Sequence, residues 1–510
     1  LELLRKTQSI CPECFRVLDA EVFVDDDNKV KMRKTCDEHG YFEDTYTFSN
    51  PELYRWAEKY RNDGMGPENP TRTTVKGCPY DCGLCTNHKS HTVLAIIDVT
   101  NRCNLRCPIC FANAATAGYV YEPSLEQIGE IMSNLRANLP VPPPAIQLSG
   151  GEPTVRRDLP EIIKMADEAG FRHIEVNSNG LRLAKEAEYM DTLREAGMST
   201  LYLQFDGLDD EIYRRTRGVP LLDIKQKVLD NARQIGFESI VLVVTLVRGV
   251  NDQEIGKIVN FALENSDVVR CVNVQPVSIT GRIEREAREA MRINTSDFME
   301  LIEEQTNGSV KAEDFLPVPA VVPMSRAVGA LKRKHYAEFT TSPWCGVATF
   351  LIRGKKGVWT PITRLARVDK FFDAMEAVSR AASEGKKTRA FMKSISALRH
   401  MKASFIKDLV WPVLKEGSYH ALGKFMRKVV MIGCMHFMDP YNFDLQRVQR
   451  CVIHYGLPDG TIRPFCTVNT LHRAEVEQKF SVPYEEWVER NRARSDERGL
   501  GAVMCPPLKS

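Results

Sequence analysis

The sequence predicts an α/β fold: a partial (β/α)6 TIM-like barrel, preceded by a small metal-binding domain and followed by a mixed α+β domain. Three observations predict it. Strand-length apolar runs alternate with amphipathic helical patterns through the middle of the chain, the signature of βα units on a parallel sheet. Polar residues and glycines gather just after each apolar run. The chain also holds 15 cysteines in 510 residues, most of them in short clusters at ligand spacing.

The strands are expected at Thr92–Thr100, Ala145–Ser149, His173–Asn177, Leu201–Phe205, Ser239–Val247 and Val268–Val274. Helical periodicity falls between them, at Leu125–Leu139, Leu159–Ala169, Leu181–Ala196, Asp223–Ile235 and Gln253–Glu264. Six such units are too few for a closed eight-stranded barrel. Sites in these folds lie at the C-terminal ends of the strands. There the first strand delivers Cys103, Cys107 and Cys110, and the second ends in Ser149-Gly150-Gly151-Glu152-Pro153. The third ends in Asn177-Ser178-Asn179-Gly180, the fourth in Gln204 and Asp206, the fifth in Thr245, and the sixth in Gln275. Glycines at such a rim allow close backbone approach by a ligand.

Cysteine spacing adds further centres. Cys11-x2-Cys14 and Cys36-x2-His39 have the layout of a treble-clef or rubredoxin-like knuckle, whose four soft ligands suit zinc or mononuclear iron. Cys78-x3-Cys82-x2-Cys85 repeats the spacing of Cys103-x3-Cys107-x2-Cys110, and three thiolates so close can hold three irons of a [4Fe–4S] cube. Only the second of these triplets follows a strand. Cys345, Cys434, Cys451 and Cys466 form a set for a further cluster, with Cys451 and Cys466 on a hairpin turning at Gly460. The Cys78 set then needs a fourth ligand, Cys505 or Cys345. Cys271, inside a strand, reads as core.

Composition excludes some classes. No run reaches the roughly 18 apolar residues of a membrane span. With 69 Lys+Arg against 67 Asp+Glu there is no global field for nucleic acid. Locally, residues 386–428 carry +9, leaving −7 for the remainder. Phe391, Ile395, Leu398, Phe405, Ile406 and Leu409 share one helical face, and Leu422, Phe425, Met426 and Val429 resume the pattern. This predicts basic amphipathic helices over 386–430. On pattern alone they are ordinary helices with a solvated face; an anionic or membrane surface is the alternative.

The rim residues resemble the radical S-adenosylmethionine (SAM) superfamily over about Val93 to Arg282. The resemblance implies that Cys103, Cys107 and Cys110 hold a SAM-cleaving [4Fe–4S] cluster, and that Gly150-Gly151-Glu152-Pro153 contacts SAM's amino group. Asn177, Ser178 and Asn179 would line its ribose and carboxylate. Ile109 stands where the superfamily usually has an aromatic residue beside adenine, and Phe111 follows. Cleavage of SAM would supply a 5′-deoxyadenosyl radical able to abstract hydrogen from an unactivated carbon, with electrons from a ferredoxin or flavodoxin.

The knuckle, the doubled Cys-x3-Cys-x2-Cys and Phe465-Cys466-Thr467-Val468-Asn469 together resemble the archaeal tetraether lipid synthases. That resemblance implies joining of phytanyl chains of an archaeol-type diether phospholipid through sp3–sp3 carbon bonds, with two auxiliary clusters. Lys393, Arg399, Lys402, Phe405, Phe425 and Arg427 would then contact the headgroup or line a lipid tunnel. A cytoplasmic protein peripheral on the membrane surface is expected. The alternative reading is a methyltransferase acting on 7,8-dihydro-6-hydroxymethylpterin. The expected domains are 1–70 (metal), 71–92 (auxiliary-cluster segment), 93–310 (barrel) and 311–510 (auxiliary domain with the basic helices).

Overall fold

In the structure, a computed structural model, residues 1–114, 118–281, 283, 285–354, 356–407 and 427–496 are described. The chain opens with an antiparallel meander of β1 (Glu2–Ile10), β2 (Val17–Val24), β3 (Val30–Cys36) and β4 (Gly40–Thr45). Asn28, at φ 57°, turns β2 into β3, a conformation Asn tolerates better than most residues.

The six expected barrel strands are present: β5 (Leu94–Thr100), then, after the short β6 (Tyr119–Tyr121), β7 (Ala145–Gly150), β8 (His173–Ser178), β9 (Thr200–Gln204), β10 (Ile240–Leu246) and β11 (Val269–Pro276). All pair in parallel in the order β11-β10-β9-β8-β7-β5. Helices between them cover the outer face. Leu125–Arg136 is typical: Ser124 and Gln127 close a capping box, and Ile128, Ile131, Met132 and Leu135 fall on one buried stripe. Each such buried side chain contributes about 1.5–3 kcal/mol of transfer free energy. The expected helix Leu181–Ala196 is two, Leu181–Lys185 and Ala187–Glu195, divided at Glu186.

The sheet continues past both barrel edges. After β12 (Leu316–Pro317), β13 (Gly346–Arg353) and β14 (Trp359–Pro361), β15 (Val429–Met435) adds in parallel to β11, and β13 lies antiparallel outside it. At the other edge β16 (Ile453–Gly456) adds in parallel to β5 and hairpins into β17 (Ile462–Pro464). The last strand, β18 (Ser481–Pro483), pairs with β6. Eight parallel strands thus curve around one lumen, two of them from the C-terminal third.

β15 corrects one expectation. The helical pattern read through Val429 ends instead in a strand, because Val429, Val430 and Ile432 suit a buried ladder and the edge of β11 offers unpaired backbone. Helix does form over Lys387–Ala397 and, briefly, Ala403–Phe405. Leu409, Leu422, Phe425, Met426 and Cys505 lie outside the described residues. Among those described, no helix is long and apolar enough to cross a membrane.

Candidate active site

Strand parity builds the lumen. Along β7 to β11 one set of alternate residues is apolar and packs against the helices: Ile146, Leu148, Ile174, Val176, Leu201, Leu203, Leu242, Val244, Val272 and Val274. The other set faces inward and is largely polar: Gln147, Ser149, Glu175, Asn177, Tyr202, Gln204, Thr245, Asn273 and Gln275 all line a cavity of about 820 Å³. A TIM-type interior is ordinarily filled with branched apolar side chains. This one is open and mixed: polar side chains from β7 to β9 and β11 face apolar ones such as Val241, Val243, Met431, Met435 and Ile453.

At its C-terminal mouth stand Cys103, Cys107 and Cys110, with Ile109 and Phe111 beside them. Burial pushes the Cys103 and Cys107 thiols upward. The glycine turn is what lets the cysteine loop sit there. The Gly151 and Glu152 amides donate to the carbonyls of Thr100 and Arg102, at 2.7 and 2.8 Å. A Cβ on Gly150 would lie 2.1 Å from the Thr100 carbonyl oxygen, and one on Gly151 2.2 Å from that of Arg102. Glu152 is buried, and its carboxylate accepts from Thr154 Oγ1 (2.6 Å), Ser178 Oγ (2.8 Å) and the Asn179 amide (2.7 Å). It therefore ties the glycine turn to the end of β8. Asn179 in turn donates to Asn104 Oδ1 at 2.7 Å, within the cysteine loop.

Asp206 works differently from the expectation. It is wholly buried and bound by Arg217 (Nε–Oδ2 2.6 Å, Nη2–Oδ1 2.9 Å), Thr216 and the Thr245 amide. Arg217 also donates to the Ile109 carbonyl at 3.1 Å, so the ion pair anchors the cysteine loop instead of presenting a carboxylate to a ligand. Lys225, also buried, donates to the Asn179 carbonyl (2.6 Å) and Gln204 Oε1 (2.8 Å), and desolvation lowers it to about 7. Sequence reasoning missed Arg217 and Lys225. Both sit on helices whose pattern shows only a cation, and nothing local shows that it points inward.

The other cysteines fall into groups. Cys78, Cys82 and Cys85 line a second, small cavity. Cys345, Cys451 and Cys466 come together: the last two thiols are raised first by burial, and neighbouring thiols raise them further. Arg447 lies among them, with Nη2 3.6 Å from Cys345 Sγ and 2.8 Å from the His436 carbonyl. It is 1% exposed, its Nε and Nη1 have no partner, and among the described residues no carboxylate pairs with it. A buried, unpaired guanidinium among thiols fits an anionic cluster. Cys434 is not brought into this group. On β15 Met431 and Met435 face the lumen, so Cys434 faces outward, into the apolar core near Thr295. Cys271 lines the lumen.

At the N-terminal meander Cys11, Cys14, Cys36 and His39 put their ligand atoms within 4.8 Å of one another. Cys14 and Cys36 Sγ are 3.9 Å apart, and His39 Nδ1 is 3.7 and 3.5 Å from Cys11 and Cys36 Sγ. Tetrahedral zinc with Zn–S near 2.3 Å requires edges of about 3.5–3.8 Å. The set fits. Cys36→Ala is expected to reduce bound zinc to background by elemental analysis and to lower the thermal unfolding midpoint; zinc retained at wild-type stoichiometry would contradict this assignment of ligands.

Of the residues expected to meet lipid, Phe425 lies outside the described residues, and the others sit in different surroundings. Phe405 is buried against Ile352 and Val429 as core. Arg399 and Lys402 are exposed and Lys393 half-buried on or beside the Lys387–Ala397 helix. Arg427 pairs with Glu238 at 3.2 Å and lines the N-terminal end of the lumen.

Comparison with known proteins agrees with this geometry. The radical SAM superfamily profile matches residues 97–262, and that of an HMPTM N-terminal zinc ribbon domain matches residues 3–47. These define the class: a radical SAM enzyme headed by a zinc ribbon. A 7,8-dihydro-6-hydroxymethylpterin dimethyltransferase of Methanocaldococcus jannaschii is 48% identical over 496 residues, 95% of this chain and 97% of its own, and the chain belongs to its family. A GTP 3′,8-cyclase of Marinobacter nauticus is 30% identical over 36% of this chain and 53% of its own. Among solved structures, methylornithine synthase PylB (17% identity, TM-score 0.34) aligns over 50% of this chain and 68% of its own. SuiB of Streptococcus suis (20%, TM-score 0.35) covers 43% and 47%. Membership implies a [4Fe–4S] cluster and SAM, and the ribbon implies a bound metal; the remaining cysteines suggest auxiliary clusters.

The lipid expectation is overturned. The near-full-length relative modifies a pterin, which removes both the tetraether-forming activity and the diether phospholipid as partner.

Proposed function

We propose that this protein is a radical SAM methyltransferase acting on a 7,8-dihydro-6-hydroxymethylpterin. The observation that carries the reading is the 48% identity maintained over 95% of the chain. The mixed lining below the cysteine mouth supports it, since a pterin is a flat ring system with apolar faces and an edge of hydrogen-bonding groups.

In this reading Cys103, Cys107 and Cys110 hold the SAM-binding cluster. Ser149, Gly150, Gly151, Glu152, Asn177, Ser178, Asn179, Gln204 and Gln275 form the rim around SAM. Cys78, Cys82 and Cys85 hold one auxiliary cluster and Cys345, Cys451 and Cys466 another, with Arg447 balancing charge. When bound, the cluster and SAM supply one-electron chemistry capable of acting on an unactivated carbon. The chain's own residues do the rest. Asp206 and Arg217 hold the cysteine loop at the mouth, Glu152 locks the glycine turn to β8, and the curved sheet shields the reacting carbon from water. A ferredoxin- or flavodoxin-type protein supplies electrons.

Anaerobic protein with reductant, the pterin, SAM as radical source and a one-carbon donor (excess SAM or a reduced folate) is expected to yield singly and doubly methylated pterin by mass spectrometry. SAM cleaved while the pterin mass stays unchanged would sink the proposal, because cleavage shows that the cofactors are in place.

A further inference from the structure

Four buried carboxylates in this fold are matched by arginine: Asp206 by Arg217, Asp439 by Arg292, Asp444 by Arg5 and Asp98 by Arg473. Glu175, inside the lumen, is not. Glu175 sits on β8 with its side chain 13% exposed, and among the described residues no lysine or arginine lies within ion-pairing distance. Its neighbours are Gln147, its register partner on β7, which donates from Nε2 to Oε2 at 2.8 Å, and His173, whose Nε2 is 3.2 Å from Oε1. Its charge is felt by Tyr202 and Cys271, whose ionisation burial already opposes and Glu175 opposes further, so all three share the lumen.

The other two carboxylates lining the cavity are spoken for. Glu152 is filled by Thr154, Ser178 and Asn179, and Glu238 pairs with Arg427. A lone ionisable acid kept in a cavity with acceptor capacity to spare is suited to a ligand that brings N–H groups. The pyrimidine ring of a pterin brings two side by side, the ring N3–H and the 2-amino group, and a carboxylate can accept both in parallel. Position fits as well. Glu175 lies two residues below Asn177 on β8, about 6.6 Å deeper than the rim. A pterin gripped there by its pyrimidine edge extends its pyrazine ring and hydroxymethyl group upward, toward Cys103, Cys107 and Cys110.

We infer that Glu175, held by Gln147, is the residue that binds the N3–H/2-amino edge of the pterin and so determines which end of the ring faces the cysteine mouth. This rests on the pterin reading above and adds a specificity residue to it.

The test measures equilibrium binding of 7,8-dihydro-6-hydroxymethylpterin and of its analogue lacking the 2-amino group, each to the anaerobic holoenzyme and to Glu175→Gln. For the wild type, removing the amino group is expected to weaken binding at least tenfold. Glu175→Gln should bind the parent pterin at least tenfold more weakly and be nearly indifferent to the missing amine, because the variant has already lost that contact. The analogue comparison on the wild-type chain needs no substitution, so a poorly folding variant does not spoil the test. If the wild type binds both ligands equally, or the two losses simply add, Glu175 does not read that edge although a pterin still binds. If the wild type binds neither ligand, the pterin reading itself fails, and this inference with it.

Discussion

Gly151→Ala is expected to reduce SAM-dependent turnover by roughly two orders of magnitude or more, the scale of loss when reacting groups are displaced by about 1 Å. The new methyl would sit 2.2 Å from the Arg102 carbonyl oxygen and 2.7 Å from its carbon, both backbone atoms of the strand-to-loop passage into Cys103. Backbone cannot swing aside as a side chain does, so either the glycine turn or the cysteine loop must move. Either shift breaks the hydrogen bonds from Gly151 and Glu152 to Thr100 and Arg102. Turnover, iron content and zinc content should be measured together. The expected result is lost activity with zinc retained, because the ribbon site lies on other strands. Wild-type turnover in this variant would show that the close approach has no functional consequence.

Arg217→Met should destabilise the protein by about 3–5 kcal/mol, the cost of leaving a buried charge without its partner. Asp206 is fully buried, and among the described residues Arg217 is the only cation within ion-pairing distance of it. The same change frees the Ile109 carbonyl and Thr245 Oγ1. Urea unfolding of the variant against wild type, at equal cofactor loading, gives the shift. Adding Asp206→Leu should recover much of the loss, because a buried ion pair replaced on both sides is far less costly than one broken on one side. A double variant as unstable as the single one would mean that the arginine acts through packing alone.

The barrel was legible in the sequence because its signals are local. Runs such as Ile240–Leu246 are strand-length and rich in β-branched residues, and glycine-rich turns mark where they stop. The polar inward residues were equally present, in the alternation of His173-Ile174-Glu175-Val176-Asn177 and Cys271-Val272-Asn273-Val274-Gln275. The ribbon ligands were readable from spacing, since the two short knuckles lie on the first and third turns of one meander, at the same end of its sheet. Separating Cys434 from Cys345, Cys451 and Cys466 needed strand parity, and parity needs to know that Val429–Met435 is a strand. Helical periodicity gave the opposite answer there, because its apolar residues also fit a 3.6-residue repeat. Arg217 and Lys225 point inward only because of how their helices dock, which no local pattern records. The lipid reading failed for a different reason: it rested on a cysteine pattern, and cysteines that hold clusters do not specify which substrate the clusters act on.

β16 pairs with β5 through Ile453–Leu94, Ala95–His454 and Ile96–Tyr455. On the ribosome, therefore, the edge of β5 emerges long before the strand that covers it. At about 5–20 residues per second the wait is on the order of tens of seconds, during which a parallel ladder presents unsatisfied amides and carbonyls to any passing strand. The opposite edge, at β11, waits in the same way for β15. Nascent chains halted between these strands should accordingly be the species most prone to aggregate and to recruit chaperones. The long insertion between β11 and β15 carries a kinetic hazard that the finished fold conceals.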